Sequence, residues 1–284
     1  MIEIGKLSGN TPLIKITDKL YAKLETYNPS GSVKDRMISY VVNDAKLSGH
    51  IKNDSILCDA TSGNTGIALS MMAASLGLRC VIFMPVNMSE ERKKMMSIYG
   101  AEIIYSPEDD FEAAIEMRDD FISKNKKAWS PMQFSNPKNI ECHQLITAPE
   151  IIGQLNSLGL SWGAFIHGSG TGGTIEGVRR SLIEKDLPTK ICLVKPDKSP
   201  HGIQGISDGK DFLAKESDMD YVLEVSTERA IDRAKTFARS TGLLVGISSG
   251  ANLAASEQWL NDNDIDGVAV TILCDRGERY MSIY

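Results

Sequence analysis

The sequence predicts an α/β fold built around parallel sheet, on two observations. From Ser55 onward, short apolar runs alternate with longer stretches of helical periodicity, the pattern of successive βαβ units. The polar, glycine-rich segments stand directly after apolar runs and directly before helical ones, at the strand ends where ligands sit in such sheets. A chain of 284 residues, 42% of them hydrophobic, can also bury a core as two modest domains or one large unit.

The elements follow in order. SILCDA (55–60) reads as a strand and GIALSMMAASLG (66–77) as a helix. RCVIFMP (79–85) is a strand, and SEERKKMMSIYG (89–100) a helix opened by Ser89 as N-cap and closed by Gly100. EIIYS (102–106) is the next strand, and DDFEAAIEMRDDFISK (109–124) an amphipathic helix. Further on, AFIHG (164–168), KICLVKP (190–196), LLVG (243–246) and VAVTILC (268–274) read as strands, with helices between or beside them. No internal repeat, low-complexity segment or obvious linker interrupts the chain.

Composition removes several function classes. Charged residues make up 24% and the formal charge is −6, with no Lys/Arg-rich run, so nucleic acid is not an expected partner. No apolar run approaches membrane-spanning length, and MIEIGKLSGN lacks the basic-then-apolar order of a secretory signal. The five cysteines (Cys58, Cys80, Cys142, Cys192, Cys274) are odd in number and form no C-x-x-C pair, which fits a reducing cytoplasm. The four histidines (His50, His143, His167, His201) have no ligand spacing, so no metal site is expected.

Four segments carry chemistry. In NPSGSVKDR (28–36), Pro29 and Gly31 make a turn and Lys34 falls in the first turn of the helix that follows. The positive end of that helix, with some desolvation, favours the neutral amine, which can form an imine with an aldehyde. A surface lysine near a helix start is the plainer alternative. TSGNTG (61–66) offers hydroxyls, an amide and backbone N–H groups at a helix start, an anion site suited to a carboxylate; helix capping alone is the alternative. GSGTGGT (168–174) can cradle a phosphate monoester, with hydroxyls from Thr171 and Thr174. Gly168, Gly170 and Gly173 also match G-x-G-x-x-G, with Asp197 beyond the next strand, so a nicotinamide-dependent oxidoreductase is a rival on local grounds. In GISSGA (246–251), Ser248 or Ser249 can bond a heterocycle nitrogen or serve as N-cap.

In their order and spacing NPSGSVKDR, TSGNTG, MQF with His143 (Met132 to Phe134), GTGGT, IQGI (203–206), GISSGA and the terminal GERY closely resemble the cysteine synthase (O-acetylserine sulfhydrylase) family. The resemblance runs from Thr11-Pro12-Leu13 to Tyr280, and the family is part of fold type II of the pyridoxal-phosphate enzymes. It implies a tryptophan synthase β-like fold: two domains, each with a central, mostly parallel twisted sheet flanked by helices. Residues 1–35 and 138–284 would form the larger, cofactor-binding domain and 36–137 the smaller, mobile one. It also implies pyridoxal 5'-phosphate as cofactor, a homodimer, and an amino-acid substrate with sulfide as second reactant. Lys34 would be the Schiff-base lysine and catalytic acid/base. Gly170, Thr171, Gly172, Gly173 and Thr174 would cradle the phosphate, Asn64 would bond the ring hydroxyl and Ser248 would face the ring nitrogen. Thr61, Ser62, Gly63, Thr65 and Gln133 would hold the substrate carboxylate. Some family members bind the tail of serine acetyltransferase, a partner that stays open here.

Within the family, MPVNMSEERKKMMSIYGAEII, CDRGERY and the brief connection from VKP to IQGI resemble the B-type isoform. That branch carries arginines after Ile-x-Gly-Ile, where this chain has Ser207, Asp208 and Gly209, so a dianion such as thiosulfate is a poor substrate. The expected reaction is O-acetylserine plus sulfide to cysteine plus acetate, through α-aminoacrylate. The alternative is a cysteine hydro-lyase that releases sulfide and forms serine, with Asp208 as the base that activates water. Asp208 facing solvent, or capping the next turn, is the plain reading beside it. A silent homologue acting as a binding module is opposed by intact Lys34, Asn64 and Ser248.

Overall fold

The computed structural model describes residues 3–61, 63–206 and 212–284. Ser62 and Asp208, two of the expected site residues, lie outside the described residues. The chain divides into two compact units, a smaller one of Met1–Ser8, Asn28–Met132 and Arg279–Ile283 and a larger one of Gly9–Tyr27, Gln133–Glu278 and Tyr284.

The smaller unit runs α1 (Lys34–Leu47), β3 (Ile56–Ala60), α2 (Asn64–Leu76), β4 (Arg79–Pro85), α3 (Glu90–Ile98), β5 (Glu102–Ser106), α4 (Phe111–Lys124) and β6 (Ala128–Trp129). Its four strands form one sheet in the order β5-β4-β3-β6, parallel throughout. Strand parity decides which helix each face meets. Leu57, Cys80, Ile82 and Met84 pack with Met37, Ile38, Val41, Ile67, Met71 and Met96 from α1, α2 and α3. Their neighbours Cys58, Ala60, Val81 and Phe83 pack with Ala114, and Phe111, Ile115 and Phe121 of the same helix α4 lie against them. Covered on both faces, these strands are near-continuous apolar runs, which is why they are legible in the sequence.

The larger unit holds a six-stranded sheet in the order β1-β2-β10-β7-β8-β9. The strands are β1 (Leu13–Lys15), β2 (Leu20–Leu24), β7 (Trp162–Gly168), β8 (Lys190–Pro196), β9 (Tyr221–Val225) and β10 (Val268–Leu273). Every pair is parallel except β1 with β2. The helices are α5 (Lys138–Cys142), a π-helical turn (His143–Thr147), α6 (Ala148–Ser157), α7 (Gly173–Glu184), α8 (Thr227–Thr241) and α9 (Ile247–Asp262). β10 is buried along its whole length.

One local expectation needs correction. LLVG (243–246) is not a strand: it makes a single bridge, Val245 with Arg276, and Gly246 and Gly277 donate their N–H groups to the Asp275 and Leu244 carbonyls at 3.0 and 3.1 Å. Strand structure also begins well before Ser55, at β1 and β2. There Lys23, fully buried, interrupts the apolar pattern; its ammonium donates to Thr11 O at 2.7 Å and Gln154 Oε1 at 2.8 Å and pairs with Glu150 at 3.0 Å. Among the described residues no helix is long and apolar enough to cross a membrane.

Candidate active site

In the smaller unit, α1 begins at Lys34 itself. The preceding turn is closed by Gly31 N–H donating to Asn28 O at 2.8 Å, with Gly31 at φ +89°, a left-handed conformation that suits glycine. Asp35, fully buried, fixes that turn: it accepts the Ser30 N–H at 2.5 Å and the Ser30 hydroxyl. Lys34 is half-buried, and its N–H donates to Ser32 Oγ at 3.3 Å. The amine expected to carry chemistry therefore projects from the first residue of a helix whose approach is tied by a buried carboxylate.

The second segment of this unit follows β3. Thr61 N–H donates to Phe83 O at 3.0 Å, holding the loop to the end of β4. Gly63 is the N-cap of α2, brings no capping side chain, and donates its N–H to Thr61 Oγ1 at 3.2 Å. Asn64 and Thr65 are the first two helical residues, with Thr61 and Thr65 buried and Asn64 half-buried. A helix start with backbone donors and two buried hydroxyls, and no acidic residue in its first turn, is suited to a carboxylate.

In the larger unit, GSGTGGT joins the end of β7 to the start of α7. Gly168 N–H is anchored on Asn252 Oδ1 at 2.8 Å. Gly172 is the N-cap of α7 at φ +89°, again with no side-chain cap. Thr171 and Thr174 are buried, and each hydroxyl is held from behind. Asn139 Nδ2 donates to Thr171 Oγ1 at 3.0 Å and to Gln133 O at 3.0 Å. His143 Nε2 lies 3.2 Å from Thr174 Oγ1, and its Nδ1 lies 2.8 Å from Thr147 Oγ1. Gly173 is required by close approach: a Cβ there would stand 2.1 Å from Asn139 Oδ1. Glu176, in the first turn of α7, is opposed by burial, but hydrogen bonds from Arg179 and Arg180 hold its carboxyl below the usual range. Those two cations offset the one acid placed near the anion-attracting end of α7.

The serine segment separates its two candidates. Ser249, fully buried, accepts the Cys274 N–H at 2.8 Å. Ser248 is the second residue of α9, and its Oγ lies 3.7 Å from where a Cβ on Gly205 of the IQGI segment would stand.

The smaller unit thus carries Lys34, Thr61, Gly63, Asn64 and Thr65, and the larger one Gln133, Gly170 to Thr174 and Ser248. The donors fit pyridoxal phosphate: a primary amine for an aldehyde, a left-handed glycine and two backed hydroxyls at a helix start for a phosphate, and a serine for a ring nitrogen. Sequence reasoning missed Asn139 and assigned His143 no role, since their work depends on contacts to Gln133, Thr171 and Thr174 rather than on local pattern. A π-helical turn begins at His143.

The family described as pyridoxal-phosphate dependent enzyme matches residues 4–275. The chain is 35% identical over 294 aligned positions to a probable cysteine synthase of Bacillus subtilis, covering 97% of this chain and 94% of that protein. A hydrogen sulfide-producing enzyme from Fusobacterium nucleatum is 38% identical with a TM-score of 0.92, covering 98% of this chain and 89% of its own. An O-acetylserine dependent cystathionine beta-synthase from Helicobacter pylori is 30% identical with a TM-score of 0.92, covering 100% of this chain and 98% of its own.

Proposed function

The chain belongs to the pyridoxal-phosphate dependent enzyme family, and on that premise we propose that it performs β-replacement on serine-type amino acids, making cysteine from O-acetylserine and sulfide with release of acetate. The observation that carries the reading is a lysine at the first residue of α1 in the same unit as the carboxylate-suited helix start of α2. The names of the Bacillus subtilis and Helicobacter pylori relatives support the substrate class. The nicotinamide reading of the glycine loop has no support from the family.

Residue roles follow from the groups present. Bound pyridoxal phosphate supplies an electron sink for the bond pair left at the substrate α-carbon. Lys34 would hold the cofactor at its aldehyde, and its Nζ, when free, would take the substrate α-proton. Thr61, Ser62, Gly63, Thr65 and Gln133 bind the substrate carboxylate and orient the α-carbon. Asn64 would bond the ring hydroxyl, and the Gly170–Thr174 amides and hydroxyls would bind the phosphate, with Thr171 held by Asn139 and Thr174 by His143. Ser248 would face the ring nitrogen, where a hydroxyl partner in place of a carboxylate would leave that nitrogen weakly protonated. A weaker sink favours loss of a β-substituent, which carries the electron pair away, over transamination. The enzyme works as a cytoplasmic homodimer, in which the smaller unit, broader than the expected 36–137 because it takes in Asn28–Met132 with Lys34, is the mobile one.

A second reading is favoured by the 38% identity to the hydrogen sulfide-producing enzyme. In it cysteine and water yield serine and sulfide, with Asp208 as the base on water. One assay separates the two: initial rates of cysteine formation from O-acetylserine plus sulfide against sulfide release from cysteine. Faster cysteine formation supports synthesis. Dominant sulfide release that disappears in Asp208→Ala supports the second reading, and turnover of neither substrate refutes both.

A further inference from the structure

The terminal GERY is a sequence motif to which the reaction assigns no task, yet the structure gives it one. Residues Arg279–Ile283 belong to the smaller unit, although the chain immediately before them belongs to the larger. Arg279 and Tyr280 are each only 1% exposed. The Arg279 guanidinium donates to Ser30 O, on the turn that Asp35 ties ahead of Lys34. The next residue, Tyr280, lies with its ring 4.7 Å from the Arg92 guanidinium carbon. Arg92, 3% exposed, stands against the carboxylate loop: a Cβ on Gly63 would be 3.0 Å from its Cδ and Nε. The segment is pinned to α3 at both ends, by Ser89 Oγ donating to Arg279 O at 3.4 Å and by Ser282 N–H donating to Glu91 Oε1 at 2.9 Å.

These contacts form one continuous path, from Gly63 through Arg92 and Tyr280 to Arg279, Ser30 and Asp35. We propose that Arg279–Ile283 is a brace that sets the spacing between the Lys34 turn and the Thr61–Thr65 loop, with Arg279, Tyr280 and Arg92 as positioning residues. The planar guanidinium over an aromatic ring explains why these types stand there: cation and ring attract each other and resist sliding, which an aliphatic pair would not. Gly63 has no side chain, so Arg92 can pack directly on the loop backbone. The proposal rests on the assignment of that loop to the substrate carboxylate.

The test uses the holoenzyme and three variants, Tyr280→Leu, Tyr280→Phe and Arg92→Met, with two readouts. The first is amide hydrogen exchange. Tyr280→Leu is expected to raise exchange at least fivefold both in residues 30–36 and in residues 63–67, with β3 and β4 unchanged, and Tyr280→Phe to restore both. The second is the KM against kcat split for O-acetylserine. Tyr280→Leu and Arg92→Met are each expected to raise KM at least tenfold with cofactor content unchanged, and the double variant to lose no more than either single one. Exchange that rises only in residues 279–283, or fully multiplied effects in the double variant, overturns the brace. Should Tyr280→Leu fail to fold, Glu91→Ala, which cuts only the tie to Ser282, is read in the same two segments, and no change there overturns it equally. If wild-type enzyme turns over no amino acid, the function fails, while the exchange result still decides the brace.

Discussion

Replacing Asp59 by asparagine sets burial against pairing at one carboxylate. Asp59 is in β3, fully buried, two residues before Thr61. Arg118 Nη1 stands 3.4 Å from its Oδ1 and Ser130 Oγ donates to the same oxygen at 3.2 Å, while Oδ2 has no hydrogen-bond partner among the described residues. Burial outweighs Arg118, Ser130 and the Ala60 backbone N–H, and raises the carboxyl from 3.8 to about 6. An acid whose folded-state value is raised leaves stability intact below its unfolded value. Stability is then lost as pH climbs through the folded one. The loss therefore develops between pH 3.8 and about 6 and persists above it. A rise of that size corresponds to about 3 kcal/mol. Asparagine keeps the shape and removes the charge, and Arg118 retains Asp119 at 2.8 Å. Asp59→Asn should thus match wild type near pH 4 and exceed it by up to about 3 kcal/mol at pH 8. The assay is urea unfolding read by Trp129, which pairs with Leu57 of β3, in a background with Trp162 and Trp259 replaced by phenylalanine. A single fluorophore confines the readout to the smaller unit, because two units need not unfold as one. If the variant is less stable than wild type at pH 8, the Arg118 attraction exceeds the burial cost and the reasoning is wrong.

Other perturbations test the site from different sides. Gly173→Ala forces a Cβ to within 2.1 Å of Asn139 Oδ1, so cofactor affinity should fall at least tenfold, about 1.4 kcal/mol, by fluorescence titration of apoenzyme. Asn139→Ala removes the donor to Thr171 and to Gln133 O; it should cost about 2 kcal/mol of stability and raise KM for the amino acid more than it lowers kcat. Burial pushes the thiols of Cys58, Cys80 and Cys192 up to about 12. Native enzyme at pH 8 should therefore leave these three unreacted with a disulfide thiol reagent until it is unfolded.

The strands most legible in the sequence are those covered on both faces. β4 and β8 appear at their expected limits because apolar runs of that length are dictated by burial. β2 was hidden by Lys23, whose charge is buried only because Thr11, Gln154 and Glu150 close around it. LLVG shows the converse: it is apolar enough for a strand, but Leu244 is 36% exposed and Val245 pairs only with the chain after β10. The division into units left no compositional trace, since the chain crosses after Ser8, Tyr27, Met132, Glu278 and Ile283 without any obvious linker composition. In the site, the positions of the loops between strand and helix were readable, since TSGNTG and GSGTGGT stand where β3 and β7 end and α2 and α7 begin. Asn139, Arg92 and Tyr280 were not, because what they hold is remote in sequence and is fixed only by the fold.

The central claim is that Lys34 is the lysine that carries the cofactor. Borohydride reduction of the yellow holoenzyme, followed by peptide mass mapping, tests it most directly. The account predicts a phosphopyridoxyl label on the peptide containing Lys34 and none after Lys34→Ala. A label on another lysine, or no covalent label on protein that binds pyridoxal phosphate, would contradict it.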